Sequence, residues 1–232
     1  MSNDRTLFLR LDAPVAAWRW LQAGVFRGTF PVIPPSAAWG LALNLAGIET
    51  RGSLDEVTTP IRPDAPALEI SVGFDAERPG TKASLYQQLH SYPVGNSGAE
   101  MKGRSHGAKY WIAPVRREVL IDQISLVGVR GPAEIVDRIR PGLAGSLPGS
   151  RYGLPFAGDN QFLYSRIDVL DASPVGRWFV PGEVPGRGDL SARLTTIIDR
   201  EDASRTQAPL FLAAKAPRAC PPEAWVRIGG HG

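Results

Sequence analysis

Proline and glycine punctuate this sequence from end to end, and their spread is what most constrains its fold. There are 21 Pro and 25 Gly in 232 residues, above ordinary usage and without a repeat period. Such spacing favours many turns and short strands over a helical bundle. Hydrophobic residues still make up 43 % of the chain, with six Trp and eight Phe, so a packed core can form. The length fits one large domain, or a domain with an elaborated second half.

Between the breaks, short periodic segments suggest elements. Residues 6–12 alternate apolar and polar and stop at Ala13-Pro14, which predicts a first strand. Residues 18–20 read as a loop or one helical turn. Ser36 is placed to cap a helix after Pro34-Pro35, and the apolar run 37–46 has helical length, with Gly47 as its stop. Apolar residues all round that helix imply burial between other elements. Strands are expected at 67–74, 123–129 and 162–170. Residues 84–92 and 109–121 read as two arms of an extended hairpin around a mobile Gly-, Ser- and Lys-rich tip at 93–108. Pro132 stands where a first helical residue would, and Ile135, Val136 and Ile139 supply the apolar face of a second helix ending near Pro141-Gly142. Three short apolar pieces at 178–180, 190–198 and 210–214 predict further strands. This order matches an α+β fold, a split β-α-β ferredoxin-like unit with an inserted hairpin.

Charge is more informative by position than in total. The net charge is only +3. Residues 78–117 hold seven Lys or Arg against one acid, Glu100, so this segment carries +6 and the remainder −3. Phosphate attraction requires clustered cations, so this pattern predicts a local polyanion contact. Tyr86, Tyr92, Tyr110 and Trp111 are interleaved with the cations, and such rings can stack on bases.

Common catalytic constellations find no foothold. Three His and one Cys match no familiar zinc spacing, and the glycines at 145, 149 and 153 lack a following Gly-Lys-Ser/Thr. No Gly-x-Ser-x-Gly elbow and no His-Glu-x-x-His occurs. No cofactor is expected. Cys220 reads as an ordinary buried or half-buried thiol. No leader-like start and no apolar run near the roughly 18 residues of a membrane span is seen, so a cytoplasmic protein is expected.

Three motifs in order carry a family resemblance. Phe26-Arg27, Thr29-Phe30-Pro31 and Pro34-Pro35-Ser36 leading to Trp39-Gly40-Leu41 and Gly47 form the first. Tyr110-Trp-Ile-Ala-Pro-Val-Arg-Arg-Glu118 is the second, and Ser150-Arg-Tyr-Gly-Leu-Pro-Phe-Ala-Gly-Asp-Asn160 the third. Together they resemble a CRISPR-associated RAMP-superfamily subunit, "Cas five" in words, of a type I Cascade complex, closest to a branch named for myxobacteria. The resemblance implies a modified ferredoxin-like (RRM-like, RAMP) domain over residues 1–175, with a basic β-hairpin thumb inserted at 78–117. Residues 176–232 would be a β-rich C-terminal extension packed on it. It further implies a non-catalytic subunit that binds guide RNA (crRNA), caps its 5′ handle and joins the backbone and large subunits in antiviral defence. Target DNA would be met only indirectly, and no membrane is involved.

Candidate RNA contacts follow from charge, position and that resemblance: Arg19, Arg27, Lys82, Lys102, Arg104, His106, Lys109, Tyr110, Arg116, Arg117, Arg151 and Tyr152. Arg27 could instead hold its loop by an ion pair, and Arg19 could be solvated beside packing tryptophans. Arg116 and Arg117 point to opposite faces of a strand, so one should face RNA or a neighbour and the other pair with Glu118 or Asp122. Asp159-Asn160 reads as a turn. The competing function is a metal-independent endoribonuclease that processes precursor guide RNA, as one branch of the family does. Lys102, His106, Lys109 and Tyr110 would then supply the base and the cation that 2′-hydroxyl attack requires.

Overall fold

Alternation along the first strand sets the two faces of the sheet. In the computed structural model, which describes residues 3–23, 25–52, 60–91, 111–149, 151–199 and 202–230, β1 spans Asp4–Ala16. Leu7, Leu9, Leu11 and Ala13 are buried on one face, while Phe8 is buried on the other. β1 pairs antiparallel with β5 (Trp111–Pro132) and with β6 (Arg166–Leu170). β5 in turn pairs antiparallel with β4 (Leu68–Ser91), from Glu69 opposite Arg130 to Ser91 opposite Trp111. The strand expected at 67–74 is thus only the root of a 24-residue strand that forms the first arm of the hairpin. The tip expected at 93–108 lies outside the described residues.

Residues 18–20 do not form a helical turn. Arg19–Ala23 is strand β2, which pairs with β3 (Phe26–Thr29), and β3 runs parallel to β5 through Phe26–Arg116 and Arg27–Arg117. That pair makes the sheet mixed. Short-range signals could not foresee β2, because its ladder is completed by residues that follow a turn.

One face is covered by α1 (Pro35–Leu45), in which Ala38, Trp39, Ala42, Leu43 and Leu45 are buried. Ser36 is not its cap. Pro34 takes the N-cap position and Pro35 the first turn, because proline's fixed φ suits the helix start and needs no N–H partner there. The Ser36 hydroxyl is buried without a hydrogen-bond partner. Gly47 ends the segment at φ +69°, as its position suggested. The second helix is also displaced and broken: Pro132 is the N-cap of α2 (Ala133–Val136), and α3 (Ile139–Leu143) follows. α3 lies against the end of α1 at Gly142, where a Cβ would stand 1.7 Å from the Leu45 carbonyl oxygen. Gly142→Ala should therefore overpack this contact and lower the Tm by roughly 5 °C or more; an unchanged melting curve would refute the close approach.

The C-terminal segment extends the sheet and serves both faces: Phe179, Phe211 and Ile228 join the core under α1, while Trp178, Ala224 and Trp225 pack on the opposite face with Phe8. β7 (Arg177–Pro181) pairs with β4 and with β9 (Leu210–Ala213), and β9 pairs with β8 (Ser191–Arg193). β10 (Val226–Ile228), unforeseen in the sequence, pairs with Ile70–Leu68 of β4. Trp178 meets Phe8 edge-on at 5.8 Å, and Trp225 lies over Gly128, which has no side chain to hold it off. Arg130 caps the outer face of Trp225 at 4.1 Å. Cys220 is half-buried, 3.2 Å from the Ser71 hydroxyl, and burial pushes its thiol pKa up. Among the described residues, no helix is long and apolar enough to cross a membrane.

Candidate nucleic-acid interface

Beyond the point where β1 ends, the two hairpin arms continue with β3 as their lateral neighbour, and the candidate interface lies on this outer half. Short of that point, while β5 still pairs with β1, β4 has a register shift between Phe74 and Pro79. Opposite it, Asp122 adopts φ +55°, which an Asp tolerates better than most residues. Arg78 spans the irregularity, pairing with Asp12 of β1 at 2.9 Å and with Asp122. The Asp122 and Asp12 carboxylates raise the Arg78 pKa. Arg78 therefore serves the join between sheet and hairpin.

Beneath that join sits a buried amide. The Gln123 side-chain carbonyl accepts from the Trp18 indole N–H at 3.0 Å and from the Ser125 hydroxyl at 3.2 Å. Its amide donates to the carbonyls of Pro31 at 2.7 Å and Pro79 at 3.0 Å. One side chain thus ties β2, the segment after β3 and the root of the hairpin together.

Along β4, Lys82, Ser84, Tyr86 and Gln88 are exposed while Ala83, Leu85 and Gln87 are half-buried. This is strand alternation, and it gives the outer hairpin one wet face. Tyr86, 80 % exposed, stands directly opposite Arg116, and Phe26 flanks Arg116 on the other side. Arg116 reaches the Ser84 hydroxyl at 3.4 Å and has no carboxylate within ion-pair distance among the described residues. A guanidinium beside an open phenol ring can pair with a phosphate while the ring stacks on a base.

Arg117 points to the other face, as strand geometry requires. It does not pair with Glu118 or Asp122. It binds Asp159 at 2.7 Å and Gln87 at 3.2 Å, with its guanidinium 5.1 Å from the Phe162 ring centre. Glu118 instead accepts from the Thr29 backbone N–H and pairs with Lys82 at 3.3 Å. Asp159 is a turn former as expected, accepting from the Gln161 N–H at 3.0 Å. Burial raises its pKa, but the Gln161 N–H and Arg117, with the field of Arg19, outweigh this and hold it below the ordinary 3.8. A lowered carboxyl pKa contributes stability that is full above the unfolded value and is lost as pH falls through the folded one. An NMR titration should place the Asp159 midpoint below 3.8, and Arg117→Ala should move it up; a midpoint above 3.8 in the unmodified chain would contradict the ion pair.

Arg19 is exposed on β2, and Arg27 is half-buried on β3 beside Arg117. Arg151 lies beside Leu143 of α3 and Ile167 of β6. Tyr152 stacks under Arg51 at 4.4 Å, and the neighbouring Gly153 carbonyl accepts from Asn44 of α1. Lys102, Arg104, His106, Lys109 and Tyr110 lie outside the described residues. Tyr86 is named in the sequence reading only as one of the rings interleaved with the cations, not as a specific contact, although the alternation of Ser84, Tyr86 and Gln88 marks its outward face. Among the described residues no group of His, Cys, Asp or Glu is arranged to hold a metal.

Residues 6–144 match the sequence profile of the family described as CRISPR-associated protein (Cas_Cas5). The chain belongs to the Cas5 family. Its fold is shared with a chain of a "CRISPR RNA-guided surveillance complex", at TM-score 0.55 and 18 % identity, covering 94 % of this chain and 92 % of that one. The fold is also shared with a "Cas protein" of known crystal structure, at TM-score 0.51 and 16 % identity, covering 94 % of this chain and 100 % of that one. No curated protein matches the chain.

Proposed function

We propose that this Cas5 family member is a non-catalytic guide-RNA-binding subunit of a type I CRISPR surveillance (Cascade) complex. The observation that carries the reading is the exposed Tyr86–Arg116 pair on the outer hairpin of a chain from this family. An open ring and a guanidinium with no carboxylate partner among the described residues suit a single strand, whose bases are unstacked and whose phosphates are accessible. Lys82, Arg19 and Arg27 lie on the same hairpin or on the strands beside it and add positive potential. The likeness to a surveillance-complex chain supports the complex, and we assign the cap of the 5′ handle and the joint between backbone and large subunits to this chain.

The ferredoxin-like reading is supported by the order β6-β1-β5-β4, with α1 between β1 and β4 in sequence and α2 and α3 between β5 and β6. Placement in the myxobacterial-type branch rests on the 150–160 loop sequence. We assign the chain to the cytoplasm.

Incubation of the purified protein with its own repeat RNA in EDTA tests both halves of this reading. The RNA should be retained with high affinity and remain uncut. Specific cleavage, lost in His106→Ala, would replace it with the endoribonuclease function; absence of binding would remove the RNA role.

A further inference from the structure

The outer half of the sheet has a second open ring. Trp20, on the edge strand β2, is 49 % exposed, although a side chain of its size gains much from burial. The ladder fixes which way it points. Arg19 stands opposite Thr29 and shares its side, so Trp20 points to the other side, where its ring lies 6.4 Å from that of Phe30. Phe30 continues the ladder through its N–H to the Trp18 carbonyl, and two alternations along the chain it shares a side with Phe26. Phe26 neighbours Arg116, and Arg116 neighbours Tyr86. Trp20, Arg116 and Tyr86 therefore lie on one face, with Trp20 at its edge.

Groups suited to a phosphate chain fill the interval between the two rings. Arg116, Ser84 and Lys82 are exposed there. The carboxylate in the interval, Glu118, is only 14 % exposed and is held by the Thr29 backbone N–H and by Lys82. Three interstrand steps and two to four residues of strand separate the rings, or roughly 16–19 Å. A single strand bridges that span with about three to five nucleotides, as its rise goes from roughly 3.4 Å when stacked to about twice that when drawn out. The edge itself is unsuited to an added protein strand, because the register shift between Arg19 and Gln22 breaks its ladder. Exposed Arg19 adds positive potential at the same edge.

We propose that Trp20 is a second stacking platform, so that single-stranded RNA crosses the sheet diagonally from Tyr86 on β4 to the β2 edge. The inference rests on the reading of this chain as a guide-RNA-binding subunit, and it adds the path and the length of the site. One base stacks on each ring, and the nucleotides between them lie over Arg116 and Lys82, which take their phosphates. Every base has a face to stack, so the two platforms tolerate any base. What they measure is length, because an RNA too short to span them engages one ring at a time.

The test measures the purified chain against its own handle RNA, shortened one nucleotide at a time from either end, in competition with the labelled full handle. Trp20→Leu keeps an apolar cover over Phe30 but offers no ring. It should bind the full handle about tenfold more weakly than the parent. It should also be indifferent to the truncation that costs the parent about tenfold by clearing the β2 edge. Trp20→Tyr restores a ring and should recover both the affinity and the length dependence. Full-handle binding by Trp20→Leu within twofold of the parent would overturn the track. So would an equal loss at every RNA length, or a Trp20→Tyr chain that melts like the parent yet binds like Trp20→Leu, since Trp20 would then act through the fold. Normal RNA binding by Trp20→Leu with failed assembly onto the protein subunits would make the edge a protein contact and overturn it too. A parent chain that binds no handle RNA at any length overturns the functional reading itself, an outcome distinct from a parent that binds and a Trp20 variant that matches it.

Discussion

Gln123→Leu should cost the fold about 3–5 kcal/mol, read as a fall in the urea midpoint at unchanged slope. The side chain is fully buried, and it satisfies the Trp18 indole N–H together with the carbonyls of Pro31 and Pro79. Leucine fills a similar volume but offers none of these bonds. Each orphaned buried group costs about 1–3 kcal/mol, and partial relaxation keeps the total below a simple sum. The partners belong to three separate segments, so the loss should also loosen β2 and β3 from the hairpin root. A drop under about 1 kcal/mol would mean that packing alone holds that junction.

The second large effect is on RNA. Tyr86→Ala combined with Arg116→Ala should weaken binding of the handle RNA about 100-fold, or about 2.7 kcal/mol. Stacking on an exposed ring contributes about 1–3 kcal/mol per base, and a phosphate contact adds a salt-dependent part. The log–log salt slope should become shallower by about 0.7 for the phosphate lost. Both side chains are exposed, and melting should be nearly unchanged. Tyr86→Phe should bind normally, since the ring is retained. Fluorescence anisotropy across a salt series measures all of this; a double variant within twofold of the parent would remove this face from the RNA path.

What the sequence disclosed depended on how local the cause was. The alternation of Leu7, Leu9 and Leu11 and the apolar run ending at Gly47 are local signals, and both elements formed where they pointed. β2 and β10 are three to five residues long and exist only because β3 and β4 supply their ladders. The cations of residues 78–117 were the hardest to apportion. Arg78 and Arg117 counted equally with Arg116 as cations of the basic segment, yet their carboxylates lie 66, 44 and 42 positions away, at Asp12, Asp122 and Asp159. Only the sheet brings these acids into reach. Arg151 Nη1 and the Tyr164 hydroxyl are buried without a hydrogen-bond partner, and nothing in the sequence marks this, because burial is a property of the packed loop.

The register shift at Phe74–Pro79, held by Arg78 and opposed by Asp122, carries a consequence for descent and for engineering. Above it the arms pair residue for residue from Pro79–Gln123 outward to Ser91–Trp111. A lineage can lengthen or shorten the projecting part by inserting or deleting matched positions, one in each arm, while every pairing of the central sheet keeps its partner. Beyond Arg116, where β5 has left both β1 and β3, the hairpin is in that sense a replaceable attachment, and grafts between homologues should be cut there.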